Sequence, residues 1–293
     1  MLFESLIDLG KPVLKFKKEG DLLYVISDKE IMKADINTGD VIQSKEVFPK
    51  NSRTRDLLID KDIIYSRDFY KLHKIDKETL EINKTWELGI DLSSDICTLD
   101  HDEKNIYIAI RKGDFAVINK ASGEVRVYPI SESSIWDMII SDNIYAGNVD
   151  GEFIVIDRAD FKVIYKKKIH KKNLKSLLLA GDEIFTASQD LCISRINKNN
   201  YEILDSCKKC HKKMFYLVGN WKDFLLTMSP PCFEMKFWDM SDLSLYKTIN
   251  RASWDAFIEG DILYEKEGNS IIRSDLNELI TGGFSKELIT GKI

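Results

Sequence analysis

Two stretches forty residues apart read alike: IYAGNVDGEFIVID (144–157) and IFTASQDLCISRIN (184–197). Each opens on an aliphatic–aromatic pair, crosses a short polar turn, and closes an apolar run on Asp or Asn. Short apolar runs joined by a turn signal describe two strands of a hairpin. Worked outward along the chain, the opening mark recurs at Tyr24, Tyr65, Tyr107, Tyr145, Phe185, Leu226 and Tyr264, at intervals of 41, 42, 38, 40, 41 and 38 residues. The closing residue recurs behind it at Asp35, Asp76, Asn119, Asp157, Asn197, Asp239 and Asp275. Turn residues lie in phase between the two columns, among them Ser27-Asp28-Lys29, Lys112-Gly113-Asp114, Asp150-Gly151, Pro230-Pro231 and Glu267-Gly268-Asn269, as tight hairpins require.

A period near 40 residues with four short strands per unit predicts an all-β chain, a seven-bladed β-propeller of four-stranded antiparallel blades. One blade cannot bury both of its faces alone and must stack against neighbours. A single domain over residues 1–293 is expected, with blades starting near 13, 55, 95, 136, 175, 215 and 254. The stretch LFESLIDLG (2–10) has the pattern of an outer strand, like NKTWELG (83–89), and is predicted to complete the last blade and close the ring. The tail NELITGGFSKELITGKI (277–293) is the competing closing or capping segment.

The runs GNVDGEFIVID (147–157), TASQDLCISRIN (186–197) and FEMKFWDM (233–240) resemble the ends of WD40 repeats, and Trp238-Asp239 keeps their closing dipeptide. The Gly-His that opens such repeats is absent throughout. The runs KADINTGDVI (33–42) and INKASGEVRVY (118–128) also resemble quinoprotein-type repeats. The WD40-like resemblance implies a protein-interaction scaffold that binds at the mouth of its central channel.

Composition agrees with a globular chain: 44% hydrophobic and 31% charged residues. No apolar run approaches the ~18 residues of a membrane helix, and the start lacks the basic-then-apolar layout of a signal peptide. Five cysteines, Cys97, Cys192, Cys207, Cys210 and Cys232, are few and odd in number, against a secreted disulfide framework, so a cytoplasmic location and no membrane partner are expected. The net charge of -5 disfavours a surface coated with positive charge for nucleic acid. No Gly-rich phosphate loop, nucleophile elbow or His-Glu metalloprotease string occurs, so no catalytic residue is expected.

Aligned on the seven marks, the first strands begin at Lys15, Asp56, Asp95, Asp137, Ser176, Tyr216 and Asp255, with Arg55, Trp136, Phe215 and Trp254 just ahead. These positions are expected to ring the channel mouth. Arg55, Asp56, Asp95, Trp136, Asp137, Phe215, Tyr216, Trp254 and Asp255 therefore form the candidate partner-binding set, its carboxylates and aromatic faces suited to a basic group. An enzyme would use Asp56, Asp95, Asp137 and Asp255 as an acid–base pair or as ligands of a hard cation. The bland reading of the same column is turn-forming aspartate, and the trailing Asp/Asn column is assigned to turn chemistry.

Lysines cluster in YKKKIHKKNLK (165–175) and CKKCHKK (207–213), inside windows free of acids. An arc of Lys171, Lys172, Lys175, Lys208, Lys209, Lys212 and Lys213 beside Phe215 and Tyr216 is the nucleic-acid alternative: phosphates on the lysines, bases stacked on the rings. The bland alternative is a solvated loop surface. Cys207, Cys210 and His211, joined by His170, supply four ligands of the types zinc prefers. Cys207-Lys-Lys-Cys210-His211 also matches a c-type haem attachment string, but no export signal accompanies it, and no cofactor is expected. His73 and His101 are expected to be ordinary hydrogen-bonded histidines.

Overall fold

The computed structural model describes residues 4–48, 56–68, 71–88, 96–110 and 112–282. Its strands form seven four-stranded antiparallel sheets, the seven-bladed propeller expected from the repeat. In blades one to six the strands follow one another in sequence order from the inside outward. The inner strands are Lys15–Glu19, Leu57–Asp60, Ile96–His101, Ile135–Ile140, Leu174–Ala180, Tyr216–Trp221 and Ala256–Glu259. Neighbouring inner strands touch one another around most of the ring, and so they line the channel.

Ring closure uses the N-terminus. Glu4–Asp8 pairs with Ser270–Asp275 as the outer strand of blade seven, in the register Glu4↔Ser274 through Asp8↔Ser270. Its Ile7 and Leu9 are buried with Phe16 and Leu23 of blade one and Tyr264 and Ile271 of blade seven. The C-terminal segment forms a short helix, Leu276–Thr281, whose Leu276 and Leu279 are buried at the junction of blades six and seven. The rest of the tail lies outside the described residues.

The core is divided among the blade junctions. Seven buried clusters each join two adjacent blades, and all seven opening marks are buried in second strands. This is the burial a single blade cannot achieve alone. The closing column is turn chemistry, as expected. Asp35, Asp76, Asn119, Asp157 and Asn197 each accept the backbone N–H groups two and three residues on. Asp239 accepts from Ser241, and Asp275 caps the C-terminal helix through Asn277 and Glu278.

On the face away from the candidate site, the cation directly after the closing residue in four of these turns reaches the preceding blade. Lys77 pairs with Glu19, Lys120 with Asp60, Arg158 with Asp102 and Lys198 with Asp142. Four cations of that face thus join neighbouring blades.

Candidate mouth-face interface

Antiparallel order puts two kinds of loop on one face of the ring: the crossings that lead into each inner strand, and the hairpins between second and third strands. Every sequence-derived candidate that the structure describes lies on or beside this face. Arg55 and Asp95 lie outside the described residues.

The first-strand column serves as a set of links between blades. Asp137 of blade four accepts the N–H of Leu177 in blade five at 2.8 Å. Ser176 of blade five accepts the N–H of Leu217 in blade six at 2.9 Å. Asp255 of blade seven ion-pairs with Lys15 of blade one and lies 3.3 Å from the Phe16 nitrogen. Asp56 is bound by Arg67 of its own blade. These carboxylates are therefore already partnered, with little left for a basic ligand.

Asp137 has the most altered acidity among them. Burial lifts its carboxyl to about 7, against the N–H groups of Leu177 and Met138 that favour the charged form. Lys15 is pulled both ways: burial lowers its affinity for the proton, while Asp255, then Asp56 and Asp137, outweigh that and hold it charged.

The aromatic candidates separate. Phe215 is 3% exposed and packs against the His211 ring at 4.7 Å. Tyr216 is half-buried and donates its hydroxyl to the Ser253 carbonyl at 2.6 Å. Neither ring is open for stacking. Trp136 carries the Lys175 ammonium 3.3 Å from its ring centroid, and burial pushes that lysine down to about 8. Trp254, at 59% exposure, stands free on the crossing into blade seven.

The two lysine loops flank the central hairpin of blade five. Lys171 N–H donates to Asp190 Oδ2 at 2.8 Å, and Cys210 N–H to the Leu191 carbonyl at 2.9 Å. Gly151, at φ +80°, supports the first loop from blade four by accepting the His170 N–H. A Cβ there would meet the His170 carbonyl oxygen at 2.4 Å, so only glycine fits. Lys171, Lys172, Lys208, Lys209, Lys212 and Lys213 are exposed. Among the described residues only Lys212 has an ion-pair partner, Glu234 at 3.9 Å.

The structure does not bring His170 together with Cys207, Cys210 and His211 as one ligand set. Each histidine is buried in its own blade. His170 lies between Thr186 Oγ1 (2.8 Å) and Asp190 (3.3 Å), and His211 between Thr227 Oγ1 (2.8 Å) and Glu234 (3.3 Å). Trp238 Nε1–H donates to the same Thr227 hydroxyl at 2.8 Å, joining crossing, second strand and third strand. Burial, then Lys236, pushes His211 down to about 4, against Glu234. Burial likewise lowers His170 and His73; His73 Nδ1 meets Thr85 Oγ1 at 2.9 Å. Cys210 Sγ–H points to the Cys207 carbonyl at 3.2 Å. Among the described residues no group of three or more His, Cys, Asp or Glu is placed to hold a metal ion.

Sequence reading missed Phe233 and Met214, exposed by 49% and 38%. Phe233 looked like the start of an apolar strand, but the strand begins at Glu234. The signal was the preceding Pro230-Pro231, which starts a 3-10 turn and leaves Phe233 at its end.

Two solved structures show how general this architecture is. The β-propeller domain of Cps50 (Swd1) from Myceliophteria thermophila superposes with a TM-score of 0.76 at 13% identity, covering 93% of this chain and 99% of that one. The fold is a seven-bladed β-propeller. The computationally designed Ika8 protein gives a TM-score of 0.67, also at 13% identity, covering 90% of this chain and 96% of that one. At such identity the likeness carries the fold alone. No protein-family model and no curated protein matches the chain. Among the described residues no helix is long and apolar enough to cross a membrane.

Proposed function

We propose that the protein is a non-catalytic scaffold that holds a protein partner against its mouth face. The observation that carries this is Trp254: a large aromatic left more than half exposed on the rim, in a molecule whose blades bury the side chains of all their opening marks. Exposed tryptophans at the centre of a face are the usual anchors of protein interfaces. The engaged carboxylates favour this reading over the enzyme alternative, because Asp56, Asp137 and Asp255 already have partners. The buried Phe215 and the hydrogen-bonded Tyr216 weigh against a nucleic-acid platform, which needs open rings to stack bases. Five free cysteines suit the reducing cytoplasm.

The test is mass spectrometry of what co-purifies with the tagged protein from its native cells after nuclease treatment, compared with the W136A/W254A variant. Proteins that survive nuclease and disappear with the two tryptophans are expected. Retention of every partner by that variant would remove the mouth from consideration.

A further inference from the structure

Among the described residues ten non-glycine residues have φ between +49° and +69°, a conformation disfavoured for a side chain bearing Cβ. Leu80 and Leu243, in the turns between third and fourth strands, offset this by burial: they are 0% and 4% exposed. Phe233, like the exposed Asp28, Lys61, Lys209 and Lys222, has no such compensation, and it is the one exposed aromatic among them. At φ 54° and ψ 44° it ends the Pro230–Cys232 turn with its N–H on the Pro230 carbonyl, and half of its side chain faces solvent. A glycine or asparagine would take that conformation more cheaply. The Phe233 ring is left open to a partner.

Its surroundings define the partner's chemistry. The Ser229 hydroxyl at the start of the turn donates to the Met214 carbonyl at 2.9 Å, placing exposed Met214 on the same blade top. Lys212 reaches Glu234, the residue after Phe233. Lys213 precedes Met214, and Lys208 and Lys209 begin the same crossing, all three exposed and without an ion-pair partner among the described residues. Glu234, the acid beside Phe233, is already shared by His211, Lys212 and Lys236. On the opposite face four cations pair across blades.

We infer that the top of blade six is a docking site for an acidic peptide segment of a partner protein, with an apolar side chain seated on Phe233 and Met214 and carboxylates on Lys208, Lys209, Lys212 and Lys213. The inference deepens the scaffold reading and rests on it. Charge complementarity selects the acidic segment, and the apolar pair without a run of open rings selects peptide over single-stranded nucleic acid.

The probe is a phage-displayed library of random linear peptides, selected on the full chain. Enriched sequences are synthesised with a fluorophore and titrated by anisotropy against wild type, F233N, K212E/K213E and W136A/W254A. Enriched peptides should carry acids flanking an apolar residue, and lose at least about tenfold in affinity to F233N and to K212E/K213E. F233N should melt at or above the wild-type temperature, since Asn relieves the backbone; a purely structural Phe233 would instead melt lower. Peptides that ignore both blade-six variants but need the two tryptophans would overturn this site and leave the scaffold reading standing. A library that yields no binder, with a single-stranded oligonucleotide bound through the lysines instead, would overturn both.

Discussion

Asp137 shows how one side chain can be read two ways. In the sequence it belongs to an acidic column at the strand starts; in the ring it carries the Leu177 N–H across a blade junction. Its carboxyl is raised to about 7 by burial, so the folded state binds a proton that the unfolded state releases near pH 4. The resulting stabilisation is present at low pH and is lost as pH rises from about 4 to 7. His211, lowered to about 4, has the opposite slope: its contribution is present above about pH 6.5 and is lost as pH falls toward 4. The two partly cancel in the native chain. D137N keeps an oxygen for Leu177 and removes the charge, so it should gain on the order of 2 kcal/mol at pH 8 and little at pH 4. Urea titrations of both proteins across this range measure it, and an unchanged difference between pH 4 and pH 8 would show that Asp137 does not titrate in that window.

At the scale of the element, local chemistry was legible wherever the signal lies within a turn. Asp35 and its equivalents cap turns because an Asx side chain reaches N–H groups two and three residues away whatever surrounds it. The strand starts that bridge blade junctions are different, because their partners lie forty or more residues away. Ser176 reaches Leu217 across a junction, and no periodicity tells such a bridge from an exposed rim. S176A would leave a buried N–H without an acceptor and should cost about 1–2 kcal/mol. A melting temperature equal to that of the wild type would mean that water replaces the hydroxyl. The lysine loops were legible as charge runs, but the burial of His170, His211 and Phe215 beneath them was not. A histidine between lysines reads as surface until its ring is seen on Thr186 or Thr227.

For the whole molecule, closure of the ring decides stability. Blade seven obtains its outer strand from residues some 270 positions away, and the Lys15–Asp255 ion pair crosses the same seam. Removing residues 1–10 would unpair the Ser270–Asp275 edge and uncover the surface now buried by Ile7 and Leu9, each worth roughly 1.5–3 kcal/mol. Such a chain should lose on the order of 10 °C in melting temperature or elute as larger species through its open edge. A truncated protein that stays monomeric with an unchanged melting curve would show that the N-terminal strand is dispensable.

The sequence by itself determined the number of blades, the strand pattern within each and the turn caps. Each of these depends on short-range spacing or on a repeat, and both survive in one dimension. The tertiary structure alone decided that the N-terminal strand closes the ring, that Asp137 and Asp255 of the acidic column join blades, that Phe215 is core while Phe233 is surface, and that the two histidines belong to separate blades. Those facts depend on which loop lies against which neighbour. Burial and partnership are properties of the assembled ring, where residues forty or more positions apart come within hydrogen-bond distance.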